Sequence, residues 1–239
     1  MSIADDRNCV LYVKDMFAVD ALRQIRERIR CGFSSSRRVS VSAKDLAASA
    51  RGEAGAETRL DPFWYRMWQP QSVLKPEALG PFRWVIYPPQ IRMIQTAKQE
   101  VRWHQDAGFV KVMPRQHERI ITCFVPLDDN PAERCTLQFT TEQCEFLEHA
   151  PTSNGFAAGL DRDFGGVYHF NLALGDCLLF GDLAPHRSFT PLNCIWERLS
   201  MEFRVIAPEH ALLDKDYFDV NSGEFVAVDR ASPIAVPLD

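Results

Sequence analysis

Apolar residues recur along this chain with two periods, and the change falls near residue 90. NCVLYVKDMF, at the start, reads as a short strand. VDALRQIRERI then sets Ala21, Leu22, Ile25 and Ile29 on one stripe at helical spacing and predicts an amphipathic helix. SSSRRVSVSAKD is polar and reads as loop, and KDLAASARG predicts a second short helix ending at Gly52. Residues 58 to 90, including TRLDPFWYRMWQPQ and LGPFRWVIYPPQ, are rich in aromatics and proline and follow no clear period.

From residue 91 the pattern shifts to short apolar runs bounded by turn formers. IRMIQTA, ERIITCFVPL, CTLQFTT, GVYHFNLALGDCLLFG and RLSMEFRVIA all read as strands, with PLDDNP and LGD as turn signals. Many short strands at this spacing predict a sandwich or barrel. The expected fold is mostly β with flanking helices: a double-stranded β-helix, or jelly roll, with N-terminal helices packed on one sheet. A single domain over 1–239 is expected, with a helical and aromatic elaboration at 1–90, the β-helix core at 91–207 and a polar, surface-wrapping tail at 208–239.

Composition narrows the function classes. The chain has 239 residues, 46% hydrophobic and 25% charged, with a formal net charge of −5. That is ordinary for a soluble globular protein. No basic face dominates, so no nucleic-acid partner is expected. RQIRERIR is the one dense basic segment, and its spacing reads as a solvated helix face. No apolar run approaches a membrane span, and MSIADDRNC lacks the layout of a signal peptide. Seven cysteines, with no CxxC pair, argue against a zinc ribbon or disulfide framework and for reduced thiols in a cytoplasmic protein. The expected partner is a small molecule.

Three places carry candidate chemistry. VRWHQDAGFV sets His104 and Asp106 two apart, which on a strand means the same face. FGDLAPHRSFTP holds His186, and WERLSMEFRV holds Arg198. Two imidazoles and one carboxylate can cap one face of an octahedral metal and leave the other open, an arrangement diagnostic of non-haem Fe(II) oxygenases. Taken alone, a pair such as His104 and Asp106 is more often a polar spot on a solvated strand than a metal site. On RLSMEFRV, alternation puts Arg198, Ser200, Glu202 and Arg204 on one face and Leu199, Met201, Phe203 and Val205 on the other. A charged face of this kind makes sense if it looks into a ligand cavity while the apolar face packs on helices. Glu202 and Arg204 also read as an ion pair at the barrel mouth. An arginine fork there would suit a carboxylate.

WHQDAGF (103–109), VPLDDNPAERCTLQF (125–139), GDCLLFGDLAPHRS (175–188) and Arg198 together resemble the phytanoyl-CoA dioxygenase-like group of Fe(II)/2-oxoglutarate-dependent oxygenases. The resemblance implies that His104, Asp106 and His186 are both catalytic and the ligands of Fe(II). It implies that Arg198 pairs with the distal carboxylate of the cosubstrate 2-oxoglutarate, with Ser188 and Ser200 beside it. The implied reaction uses O2 to hydroxylate an unactivated C–H of a small metabolite, releasing succinate and CO2. Desaturation, cyclisation and epoxidation draw on the same chemistry. Asp106 disfavours halogenation, since related halogenases carry a small residue there. The alternatives are a same-fold oxygenase acting on a protein or carrier-tethered substrate, and a non-catalytic cupin-like binding module. Of the other histidines, His117, His149, His169 and His210 read as surface or packing residues, with His169 nearest the cavity and His117 able to meet substrate. Phe63, Trp64 or Trp68 could border the substrate, and Phe109, Lys111, Arg115 or Arg119 could read a substrate anion.

Overall fold

The structure is a computed structural model that describes residues 6–33, 40–42, 82–87, 90–94, 100–108, 119–129, 136–149, 159–191, 198–210, 216–219, 222 and 224–227. The second helix expected in KDLAASARG lies outside these residues, as do Phe63, Trp64, Trp68, Phe109, Lys111, Arg115 and His117.

The elements in chain order are β1 (Val10–Val13), α1 (Val19–Phe33), β2 (Ser40–Ser42), β3 (Trp84–Tyr87), β4 (Gln90–Ile94), β5 (Ile120–Pro126), β6 (Thr136–Thr140), β7 (Val167–His169), β8 (Cys177–Gly181), β9 (His186–Phe189), β10 (Arg198–Ile206), β11 (Asp216–Asp219) and β12 (Glu224–Ala227). They build two antiparallel sheets. The larger runs β1-β8-β5-β10-β3-β11-β12, with β4 beside the first half of β10 and β2 beside β4. The smaller is β7-β6-β9.

Alternation along each strand sorts side chains into two cores. Leu199, Met201, Phe203 and Val205 of β10, Ile121, Cys123 and Val125 of β5, and Cys177 and Leu179 of β8 share the outer face of the large sheet. They pack with Leu22 and Ile25, the apolar stripe of α1. Asp20 in the first turn and Arg30 in the last complement the helix dipole. The opposite face supplies Phe124, Leu178 and Phe180, which meet Leu137 and Phe139 of the small sheet. The space between the sheets is therefore lined by one face of each, as in the jelly roll the sequence predicts.

One read turn is borne out and one stretch, the tail, departs from the sequence reading. GVYHFNLALGDCLLFG splits into β7 and β8 around the LGD turn read from the sequence, and only 167–169 and 177–181 are strand; Gly175 in that turn has a φ of 107°, which suits a residue without a Cβ. Asp176 clamps that turn to β1, accepting from the Ala173 amide at 2.8 Å, the Asp15 amide at 3.1 Å and the Tyr12 hydroxyl at 2.5 Å. The hydrogen bond to Asp176 pushes the Tyr12 phenol up to about 12. The polar tail does not simply wrap the surface: β11 and β12 form a hairpin that extends the large sheet beyond β3. Tyr217 is fully buried there, its ring 5.4 Å from that of Trp84. Among the described residues Cys9, Cys123, Cys144 and Cys177 are free thiols, and no helix is long and apolar enough to cross a membrane.

Candidate active site

His104 and His186 meet because two backbone segments pair there. The amide of each donates to the carbonyl of the other, both at 2.9 Å. This antiparallel bridge lies on the edge of β9, and the Ser188 amide extends the pairing by donating to Val101 O at 2.9 Å. The pairing is an isolated bridge and does not continue past His104. Asp106 sits in a tight turn in which the Gly108 amide donates to Gln105 O and the Ala107 amide to Asp182 O, each at 2.9 Å. The sequence reading used strand pleat to align His104 with Asp106; a turn aligns them instead. The three side chains are buried, and one ligand-type atom from each lies within 4.8 Å of the others.

Hydrogen bonding fixes the protonation of the set. His104 Nδ1 lies 2.9 Å from Arg102 O, and His186 Nδ1 lies 3.0 Å from Ala184 O. A carbonyl can only accept, so each Nδ1 carries the proton and each Nε2 is unprotonated. Burial lowers the pKa of both imidazoles below the ordinary 6.5; for His104 the neighbouring His186 adds to the effect, while Asp106 opposes it. For Asp106, burial pushes the pKa up. Arg204, His186, His104 and the Thr122 hydroxyl together outweigh it and hold the carboxyl well below the usual carboxylate range. Thr122 Oγ1 donates to Asp106 Oδ2, and Arg204 Nη2 lies 3.5 Å from Oδ1. Two neutral imidazoles with unprotonated Nε2 atoms and one ionised carboxylate form a donor set that fits a divalent transition metal.

Apolar rings shape the wall behind the set. Phe139 stacks on His186 at 5.7 Å and Phe180 meets it edge-on at 4.6 Å. On the side that Trp103 and Arg187 face, a groove of about 350 Å³ is also lined by Arg102 and Arg162. Asp161 and Asp163 line it too, and Arg187 stacks over the Trp103 ring at 4.8 Å.

Gln105, between the two candidate ligands, is fully buried. Its Nε2 donates to Glu145 O at 2.9 Å and Leu183 O at 2.7 Å, and its Oε1 accepts from the Leu147 amide at 2.8 Å. Its own amide donates to His149 Nε2 at 2.8 Å. The His149 ring lies so close that a Cβ on Gly108 would sit 2.6 Å from it. His149 read as a packing histidine from sequence, and it is one, but what it packs is the turn that aims Asp106. No spacing rule in the sequence points to it, nor to Thr122. His169, expected nearest the cavity, is instead exposed, paired with Gln138 on the small sheet's outer face, its ring 4.7 Å from Phe189. Arg119 is exposed as well.

Arg198 is buried on the inner face of β10. Its guanidinium donates from Nη1 to Thr136 O at 3.2 Å and lies 5.4 Å above the Phe124 ring. Ser200, two residues on, is fully buried, and its Oγ has no hydrogen-bond partner in the structure. A buried hydroxyl left unmet beside a buried arginine suits an anionic ligand such as a carboxylate. Ser188 faces the interior beside His186 and accepts the Val101 amide at 3.0 Å, which leaves its O–H able to donate. Arg204 also lies 3.6 Å from Glu202, the ion pair read from the sequence.

Comparison with known proteins places this geometry. The nogalamycin epimerase SnoN, solved with Fe3+, alpha ketoglutarate and nogalamycin RO, superposes with a TM-score of 0.54 at 14% identity, covering 98% of this chain and 88% of its own. The carbocyclase SnoK from nogalamycin biosynthesis gives 0.55 at 12% identity over 88% and 82%. EctD from S. alaskensis, solved with 2-oxoglutarate and 5-hydroxyectoine, gives 0.53 at 16% identity over 87% and 76%. At these identities the likeness is one of fold. No curated protein matches the chain. The sequence model of the phytanoyl-CoA dioxygenase (PhyH) family matches residues 7–193. The chain therefore belongs to the phytanoyl-CoA dioxygenase family, and with it to the oxygenase-type enzymes that work with iron and 2-oxoglutarate.

Proposed function

We propose that the protein hydroxylates an unactivated C–H bond of a small metabolite, consuming O2 and 2-oxoglutarate and releasing succinate and CO2. In this reading His104, Asp106 and His186 hold Fe(II). Arg198 takes the distal carboxylate of 2-oxoglutarate, with Ser200 and Ser188 beside it. The observation that carries the reading is the tautomer lock: both Nδ1 protons are committed to backbone carbonyls, so both Nε2 atoms are unprotonated and can donate a lone pair, within reach of one ionised carboxylate. Iron with 2-oxoglutarate, when bound, supplies the oxidising power.

The chain's own residues do the rest. The paired backbones hold the two imidazoles, Thr122 and Arg204 keep Asp106 ionised, and Phe139 and Phe180 exclude water behind His186. Arg198 orients the cosubstrate through charge-assisted hydrogen bonds. Free, buried thiols at Cys123, Cys144 and Cys177 support the cytoplasmic setting expected from the sequence.

The test is a substrate screen for stimulated succinate release, followed by mass spectrometry of the product. One added oxygen atom supports hydroxylation. Loss of two hydrogens, or an unchanged mass, would instead give this chain the outcome named for SnoK or SnoN. Full activity in His104→Ala or Asp106→Ala would remove those residues from the metal site.

A further inference from the structure

Residues 7 to 9 run past the candidate metal set and hold both segments that fix it. The Leu183 amide donates to Arg7 O and the Gly181 amide to Cys9 O, each at 3.0 Å. This stretch thereby prolongs the pairing of β1 with β8 toward the loop that ends at His186. The Arg7 guanidinium spans both oxygens of Asp182: Nε donates to Oδ1 at 2.9 Å, and Nη2 donates to Oδ2. Asn8 does the same for the other segment. Its Nδ2 donates to Cys144 O at 2.9 Å and its Oδ1 accepts from the Cys144 amide at 3.1 Å, as a paired strand residue would.

The two segments held in this way grip the metal set in turn. Leu183 O and Glu145 O accept from Gln105, and the Leu147 amide donates to it. Asp182 O accepts from the Ala107 amide, and Ala184 O accepts from His186 Nδ1. Asp182 is 1% exposed and meets Arg7 in an ion pair. It lies near enough to Asp106 for that charge to disfavour its ionisation. Removing one partner of such a pair leaves a buried charge unmet, and the loop must shift to relieve it.

A second observation is independent of charge. Gly181 ends β8, where a glycine weakens a strand, and its φ is not among the positive ones. A Cβ on it would sit 2.3 Å from Arg7 O and 2.8 Å from Arg7 Cα. Glycine there lets the 7–9 segment lie this close.

We infer that Arg7 is a positioning residue for the metal set: by clamping Asp182 it holds the 181–184 loop, and with Asn8 it sets the geometry at which Asp106 and His186 meet a metal ion. The inference rests on the oxygenase reading above. It makes metal affinity depend on a segment that contributes no ligand.

The test is metal titration of the full chain without oxygen, at a temperature where circular dichroism shows each metal-free protein folded. Fe(II) is followed by tryptophan fluorescence. Co(II) is followed by its visible ligand-field absorption, which reports how the ligands are arranged. Arg7→Leu should raise the Fe(II) Kd about tenfold, the low end for outer partners of metal ligands, and change the Co(II) band. Arg7→Lys keeps a charge for Asp182 but loses the two-pronged grip, and should recover part of the loss. Gly181→Ala crowds the segment without touching a charge and should move both readouts the same way. Tyr217→Leu, on β11 four strands from β8, should lower stability and leave both readouts as in wild type. An Fe(II) Kd within about twofold of wild type with an unchanged Co(II) band in Arg7→Leu, or in Gly181→Ala should the leucine variant not fold, overturns the inference. So does an equal loss of metal affinity in Tyr217→Leu, or a loss in Arg7→Leu that lysine does not reduce. If the unaltered chain binds neither metal, the oxygenase reading itself fails. Normal wild-type binding with an indifferent Arg7 sinks only the inference.

Discussion

Gln105→Leu isolates how much of the candidate site is held by a residue that touches no ligand. The substitution nearly preserves volume but removes three buried hydrogen bonds, those to Glu145 O, Leu183 O and the Leu147 amide. A buried polar group left unmet costs about 1–3 kcal/mol. The three partners sit in segments where Glu145 is exposed and Leu147 and Leu183 are half-buried, so water can reach them after small shifts. The low end of that range therefore applies, and the expected loss is about 3 kcal/mol. For a chain of this size that corresponds to a fall in Tm of about 6–12 °C. The same bonds tie both flanks of the Asp106 turn, since the Ala107 amide donates to Asp182 O next to Leu183. Fe(II) affinity should then drop about tenfold, as for other outer partners of metal ligands. Urea unfolding of the metal-free protein, followed by tryptophan fluorescence, measures the first effect and Fe(II) titration the second. A loss under about 1 kcal/mol with an unchanged m-value would show that these bonds are replaced at no cost, and the account of the turn would be wrong.

Thr122→Val keeps the shape of the side chain but deletes the hydroxyl that donates to Asp106 Oδ2; Fe(II) binding should weaken about 10- to 100-fold with little change in unfolding free energy. Equal binding in the two proteins would mean that Arg204 alone holds the carboxylate. The metal-free protein should also lose stability on mild acidification. His104 and His186 have folded pKa values below the ordinary 6.5, so the unfolded chain takes up protons first and folding weakens as pH falls through about 6.5, with a plateau above it. Asp106 is shifted down as well, and its contribution is lost only near and below its ordinary 3.8, outside that window. Urea midpoints near pH 7.5 and pH 5.5 measure the slope, and a flat profile would argue against buried neutral imidazoles.

The β core was legible in the sequence because its strands carry their own signals. IITCFVP and CLLFG are continuous apolar runs, and RLSMEFRVI alternates cleanly, so β5, β8 and β10 follow from pattern. The helix VDALRQIRERI follows from its stripe. The strand β9 was not legible, since HRSF is short and polar and becomes a strand only by pairing with β6 and with His104. DYFD in the tail is alike: nothing local marks Tyr217 as fully buried, and its partner Trp84 lies far off in sequence. Within the candidate site, His104, Asp106, His186 and Arg198 could be proposed from the sequence because residue type and order carry a chemistry. Thr122, Gln105 and His149 could not, because a hydroxyl, an amide and a lone imidazole are common everywhere. Their roles exist only once the chain has brought residues 122 and 149 beside residue 106.

The two faces of β10 explain why the charged residues can be kept inside at all. Leu199, Met201, Phe203 and Val205 anchor the strand to α1 through the outer core, and β5 pairs with it from Ser200 to Ile206. That packing supplies the burial that holds the backbone in place, so the inner face is free to carry groups that cost stability. Arg198, Ser200, Glu202 and Arg204 are such groups. Buried ionic clusters gain little net stability over apolar residues of the same size. A strand selected for stability alone would place leucine or valine at these positions, as it does on the other face. Arg204 spends its charge on Asp106 and Glu202, while Arg198 and Ser200 stand farther along the same face, with Arg92 across from Ser200. The order along this face runs from Arg204, which contacts Asp106, to Arg198, on one strand whose rigidity comes from the opposite face. A one-residue slip would turn every one of these side chains into the apolar core.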